Sequence, residues 1–166
     1  MPIFNLYLST QVTSSTTSGY NPVIPINKTS LNNVTWNIDW SNLFKGEEKN
    51  YKYCRVRFNM VSNSFTSVAN AWNNLSGYLT CNLSSQYGLT GTGAILGLTY
   101  PIDCPTTGST THVILVNTLS ECGVDVIIPG PNNSNFTLTY MNDDAQTINA
   151  TFSFDYEILL TFELYN

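Results

Sequence analysis

Near its C-terminal end the chain places an apolar side chain at every second position over thirteen residues. The seven members of this series are Phe152, Phe154, Tyr156, Ile158, Leu160, Phe162 and Leu164. Because neighbouring side chains of a strand point to opposite faces of a sheet, this period predicts a strand, or a bent pair of strands, with one buried face. Asp155 and Glu157 have the other parity and are predicted to lie on the opposite surface.

The same alternation recurs in two earlier segments. In residues 34–40 the apolar positions of one parity are Val34, Trp36, Ile38 and Trp40. In residues 51–60 they are Cys54, Val56, Phe58 and Met60. Both segments are therefore predicted to be strands with one apolar face, and the second leaves Arg55 and Arg57 on its polar face.

Shorter strand-like segments lie between stretches rich in turn residues. They are residues 4–8, 77–83, 94–100, 112–118, 124–128 and 136–141. No segment predicts a helix convincingly, and all seven prolines are expected outside strand interiors, where they would remove a ladder hydrogen bond. The pattern predicts about eight or nine strands.

Composition supports the same fold class. The β-branched and aromatic residues Val, Ile, Thr, Phe, Tyr and Trp number 63, whereas the strong helix formers number 38. A chain of 166 residues is expected to form one domain, over residues 1–166. We predict an all-β fold, a single jelly-roll β-sandwich of about eight antiparallel strands in two sheets. An immunoglobulin-like domain is the alternative, but its usual length is only about 100 residues.

Charge is distributed unevenly along the chain. The net charge is -5, and no Lys or Arg follows Arg57. A nucleic-acid partner is not expected, because phosphate binding requires basic residues. The asymmetry suits head-to-tail association of identical chains. The alternative is that the charged segment 45–52 is an ordinary solvated loop.

Groups able to carry catalysis or hold a metal are scarce. His112 is the only histidine, and the four cysteines form no C-x-x-C pair. We therefore expect no enzyme activity, no metal and no cofactor, with Cys54 a packed thiol rather than a nucleophile. The sequence also predicts neither a signal peptide nor a membrane-spanning segment.

Four charged residues and one tryptophan are the candidates for an interface between subunits. Arg55 and Arg57 share one polar strand face, and Asp155 and Glu157 share another. If the two strands are neighbours, these residues form cross-strand pairs; if they lie at different edges, they are complementary subunit contacts. The sequence leaves both arrangements open. Trp72 lies outside the alternating segments and is a candidate anchor for a loop or a partner.

Three segments resemble a known family. They are Asn33–Trp40, Tyr51–Phe58 and Tyr156–Tyr165. Together they are similar to strands of the small single jelly-roll capsid proteins of large icosahedral DNA viruses. The resemblance implies a virion structural protein, either a penton-type subunit or a minor capsid protein, with no catalytic residues.

The resemblance also implies partners and a location. The expected partners are other copies of the chain, which in a penton-type subunit form a pentamer, and a major capsid protein. The expected location is a virion assembled inside the host cell. We expect the core to form around Trp36, Trp40, Phe58, Phe154 and Phe162. The alternative function is a carbohydrate- or receptor-binding β-sandwich, as in a viral fibre or lectin, with Trp72 in a shallow pocket.

Overall fold

The structure is a computed structural model. It describes residues 1–11, 22–30, 33–62, 65–66, 77–84, 94–105, 111–116, 123–130, 132–142 and 155–166. These residues form the strands β1 (Ile3–Ser9), β2 (Asn27–Ser30), β3 (Asn33–Asn37), β4 (Tyr53–Ser62), β5 (Phe65–Thr66), β6 (Gly77–Cys81), β7 (Ala94–Pro105), β8 (Thr111–Val116), β9 (Val124–Ile127), β10 (Asn135–Asn142) and β11 (Tyr156–Tyr165). A four-residue helix, α1 (Trp40–Leu43), and a 3-10 turn (Glu47–Asn50) lie between β3 and β4. The prediction of an all-β fold is confirmed.

The main strands form two antiparallel sheets. Sheet A has the order β1-β11-β4-β9, and sheet B has the order β2-β3-β10-β6-β7. The first half of β7 pairs with β6, whereas its second half pairs with β8, which reaches β4 through Val61 and Val116. Because β7 pairs with strands of both sheets, the backbone hydrogen bonding continues from one sheet into the other.

The strand order is that of a jelly roll. Eight main strands remain when the edge strand β2 and the paired strands β5 and β8 are set aside. We count these eight strands from the first to the eighth along the chain. Sheet A then contains, side by side, the first, eighth, third and sixth strands, and sheet B contains the second, seventh, fourth and fifth strands. This interleaving arises when a long antiparallel hairpin folds over into two sheets. The predicted β-sandwich is therefore confirmed.

The core lies between the two sheets, as the alternation predicts. Sheet A contributes the even-numbered residues of β4 and β11, and sheet B contributes those of β3 and β10. Trp36, Trp40, Phe58 and Phe162 are each at most 2% exposed, which confirms four of the five expected core aromatics. Phe154, the fifth, lies outside the described residues.

Two details differ from the sequence-based expectations. The strand predicted over residues 34–40 ends at Asn37, because Asp39 accepts a hydrogen bond from the Asn42 amide at 3.0 Å and so begins a short helix. Pro101 lies inside β7, contrary to the expectation for prolines. Pro101 comes after the last residue of β7 that pairs with β6, and in this part β7 pairs with β8. A proline is tolerated at such a place because a strand with one neighbour has backbone nitrogens that point away from the hydrogen bonds of the sheet.

Candidate interaction surface

The outer face of sheet A carries a row of charged side chains. The register places Arg55 of β4 between Glu163 of β11 and Asp125 of β9. Arg55 Nε donates to Asp125 Oδ1 at 2.9 Å, and its Nη2 donates to Asp125 Oδ2 at 3.4 Å. This two-point contact fixes the guanidinium plane across the two strands.

Neighbouring groups complete this charged row. Arg57 Nη2 lies 3.1 Å from Glu163 Oε2. The Arg55 guanidinium carbon lies 5.8 Å from the centre of the Tyr165 ring, within the range of a cation–π contact. The hydrogen bond to Asp125, and then the charge of Asp125, raise the pKa of Arg55 above its ordinary value. Gly123 lies against the Arg55 side chain: a Cβ added at Gly123 would come within 2.4 Å of Arg55 Cγ.

Asp155 and Glu157 lie elsewhere on sheet A. Glu157 faces Val61 near the far end of β4, and it accepts a hydrogen bond from the Tyr7 hydroxyl. That hydrogen bond is the main reason why the pKa of Tyr7 is raised to about 12. Asp155 forms an ion pair with Lys28.

Thr10 joins the Lys28–Asp155 pair. Its hydroxyl donates to Asp155 Oδ1 at 3.0 Å, and its carbonyl accepts from Lys28 Nζ at 3.1 Å. Lys28 belongs to β2 of sheet B, whereas Thr10 and Asp155 flank strands of sheet A. The cluster therefore ties the two sheets together at one margin of the sandwich.

The structure thus separates the candidate residues into two groups. The strands β4 and β11 are neighbours, but Arg55 and Arg57 pair with Asp125 and Glu163 instead of Asp155 and Glu157. Trp72 lies outside the described residues. Sequence reasoning missed Asp125 and Glu163, although Glu163 has the same outward parity as Glu157.

The charged segment 45–52 lies next to a pocket. This pocket has a volume of about 450 Å³, and its lining comprises Ser41, Glu48, Lys49, Tyr51, Lys52, Ile128, Pro129 and Gly130. Glu48 Oε1 accepts from the Ser41 hydroxyl at 3.0 Å, whereas Glu48 Oε2 is buried and has no hydrogen-bond partner among the described residues. The charged segment is therefore a structured turn against the β9–β10 connection.

The outer face of sheet B differs from that of sheet A. We call it the neutral face and define it by the outward residues of β3, β10, β6 and the part of β7 that pairs with β6. They are Asn33, Thr35, Asn37, Asn135, Thr137, Thr139, Tyr78, Thr80, Ile95 and Leu98. None of these ten residues is charged.

The cysteines that the structure describes are packed in the core. Cys54 and Cys81 are buried and not disulfide-bonded. Burial raises the pKa of Cys54 to about 12 and that of Cys81 to about 11. Cys54 is therefore a packed thiol, as predicted. The side chains of Cys104, Cys122 and His112 are outside the described set.

Across the described ranges, no three His, Cys, Asp or Glu residues are grouped so that they could hold a metal ion. In the same ranges, no helix combines the length and the apolar character needed to cross a membrane. Compared with known proteins, the sequence matches no family model and no curated protein.

The charged row on sheet A gives a stability prediction. We expect the double substitution Arg55→Glu, Arg57→Glu to lower the free energy of unfolding by about 1–3 kcal/mol. Each substitution would remove an ion pair and would place a glutamate next to the carboxylate of Asp125 or Glu163. Urea unfolding followed by tryptophan fluorescence measures the change.

The matched control makes the same change of charge at Lys45 and Lys49, both exposed, which form no ion pair with another described residue. We expect Lys45→Glu, Lys49→Glu to change the free energy of unfolding by less than about 0.5 kcal/mol. Equal stability of the two double variants would contradict a stabilising role for the charged row.

Proposed function

We propose that this chain is a structural subunit of a virion, a penton-type or minor capsid protein. In this proposal it associates with copies of itself and with a major capsid protein, in particles assembled inside the host cell. The observation that carries the proposal is the exposure of large aliphatic side chains on strands of both sheets.

These side chains lie outside a core that is already closed. Ile3 and Leu98 are each 59% exposed, and Ile95 and Ile127 are each 49% exposed. Ile3 and Ile127 belong to sheet A, whereas Ile95 and Leu98 belong to sheet B. Aliphatic side chains on strand surfaces favour contact with another protein surface, because burial there removes apolar area from water.

The fold is consistent with this proposal. The segments that resemble jelly-roll capsid proteins correspond to β3, β4 and β11, which are main strands of the sandwich. Jelly rolls also form lectins and cupin enzymes, so the fold by itself does not select a function. The exposed aliphatic residues are what favour a subunit of an assembly.

The first experiment is the solution mass of the purified chain, measured by light scattering across a concentration series. One chain has a mass of 18.4 kDa, so a closed pentamer would have a mass of 92 kDa, five times the chain mass. We expect a mass above that of the monomer, and 92 kDa would support the penton-type subunit. A trimer would favour the receptor-binding alternative, and a monomer at every concentration would contradict self-assembly.

A further inference from the structure

We propose that the neutral face of sheet B is one side of the contact between copies of this chain, and that in a closed ring it meets a different surface of the next copy. This inference rests on the proposed self-association and identifies the surface that performs it. Three properties of the face support it: its charge, its hydrogen bonding and its exposed aliphatic residues.

The charge of the two outer faces differs. Two copies with a net charge of -5 repel each other, so covering a surface that carries no charged groups costs least. Association through sheet A would bury the Arg55–Asp125 and Arg57–Glu163 pairs, whose removal from water is costly. The described outward residues of the neutral face carry no charge.

Three threonine hydroxyls of the neutral face already have partners within the chain. The Thr35 and Thr137 hydroxyls lie 2.8 Å apart, and the Thr80 hydroxyl donates to the Thr139 carbonyl at 3.3 Å. Because these hydroxyls have partners within the same chain, a second copy can cover them without leaving them unpaired.

Asn82 satisfies the backbone at the adjoining end of this face. Its amide nitrogen donates to the Asn135 carbonyl at 2.8 Å, and its amide oxygen accepts from the Thr137 N–H at 3.0 Å. Without the Asn82 side chain, the Asn135 carbonyl and the Thr137 N–H would need hydrogen bonds with water. Their mutual bonding further lowers the cost of covering the face.

The exposed aliphatic residues lie together on one side of the face. Ile95 and Leu98 of β7 face Thr80 and Tyr78 of β6, respectively. A register irregularity between Leu79 and Thr80 allows both aliphatic residues to point outward although they are three positions apart. Leu96, between them, is buried at 3% exposure. An apolar margin beside a neutral, internally bonded surface has the composition of an interface centre, where charged residues are depleted.

The test compares two double variants with the unchanged chain. Ile95→Lys, Leu98→Lys places charges on the neutral face. The control, Val61→Lys, Leu159→Lys, places the same charges at outward positions of sheet A, where the side chains are 48% and 38% exposed. Light scattering over a concentration series measures association, and circular dichroism verifies that each variant is folded.

We expect the neutral-face variant to associate at least tenfold more weakly than the unchanged chain, and the control variant to associate as the unchanged chain does. Equal association of all three would overturn the neutral-face inference while leaving self-association intact. A monomeric unchanged chain would instead contradict the self-association on which this inference rests.

A second measurement needs no variant and applies even if the lysine substitutions unfold the protein. Hydroxyl-radical labelling of the unchanged chain at low and high concentration reports which side chains become covered. We expect Tyr78 and Leu98 to be protected severalfold at high concentration, and Leu159 to be unaffected. Protection of Leu159 without protection of Leu98 would assign the contact to sheet A and refute the inference.

Discussion

Replacing Trp40 with alanine is expected to lower the free energy of unfolding by about 3–5 kcal/mol, a large part of the stability of a domain of this size. The Trp40 ring is 2% exposed and lies 5.8 Å from Phe44, 5.6 Å from Phe136 and 5.7 Å from Phe162, measured between ring centres. Phe44 follows the last residue of α1, Phe136 belongs to sheet B and Phe162 belongs to sheet A. The substitution therefore opens a cavity where both sheets and α1 meet.

The same substitution removes a hydrogen bond. Trp40 Nε1 donates to the Asn133 carbonyl at 2.7 Å, which fixes the segment before β10 against the start of α1. Trp40→Phe retains an aromatic ring but loses this bond, so we expect a smaller loss of about 1–2 kcal/mol. Ile3→Ala, at a residue 59% exposed, should cost less than about 0.5 kcal/mol. Urea unfolding measures all three, and a Trp40→Ala loss no larger than that of Ile3→Ala would contradict this account of the core.

The faces of the strands could be predicted from the sequence because the alternation of side chains is a local property. The even-numbered residues of β4 and β11 are buried, and the odd-numbered residues lie toward solvent. The placement of Arg55 and Arg57 on the outer surface follows from the same rule. No alignment of one strand with another was needed for these predictions.

Partners across strands could not be predicted in this way. Arg55 binds Asp125, which is 70 residues away in the sequence, and that contact depends on which strand becomes the neighbour of β4. The pairing of Arg57 with Glu163 depends on register, since a shift of two residues would preserve every face and change every partner. The candidate interface residues were therefore identified correctly as outward in β4, but their contacts were not.

The start of α1 shows a competition between local signals. Ile38 and Trp40 continue the parity of Val34 and Trp36, and both are buried. The Asp39 side chain nevertheless caps a helical turn. The Ile38 N–H donates to the Ser134 carbonyl at 2.7 Å, and this hydrogen bond does not belong to a pair of strands. Alternation predicted the correct buried residues here but the wrong backbone, because a cap residue competes with strand geometry.

Raising the pH above 9 is expected to destabilise the protein by several kcal/mol, chiefly through the thiols of Cys54 and Cys81. Their pKa values are raised by burial from the ordinary value of 9.0 to about 12 and about 11, respectively. Burial likewise raises the pKa of Tyr156 above its ordinary range. These groups remain neutral in the folded chain at pH values at which they ionise in the unfolded chain.

The sign of the effect follows from proton binding. Above pH 9 the unfolded chain releases protons that the folded chain retains, so unfolding becomes more favourable as the pH rises. The stabilisation is complete below pH 9 and is lost progressively as the pH rises toward the folded-state pKa values of about 11 and 12. At about 1.4 kcal/mol per pKa unit, the two thiols together account for a loss on the order of 5 kcal/mol by pH 11.

Unfolding by urea at a series of pH values from 8 to 11, with reductant present, measures this loss. The double variant Cys54→Ala, Cys81→Ala should be less stable than the unchanged chain at pH 8, because two buried side chains are shortened. Its free energy of unfolding should nevertheless fall much less steeply between pH 9 and pH 11, because neither group can ionise. The slope isolates ionisation from packing, since the cavities have the same effect at every pH. Parallel curves for the two proteins would show that other groups govern the alkaline transition.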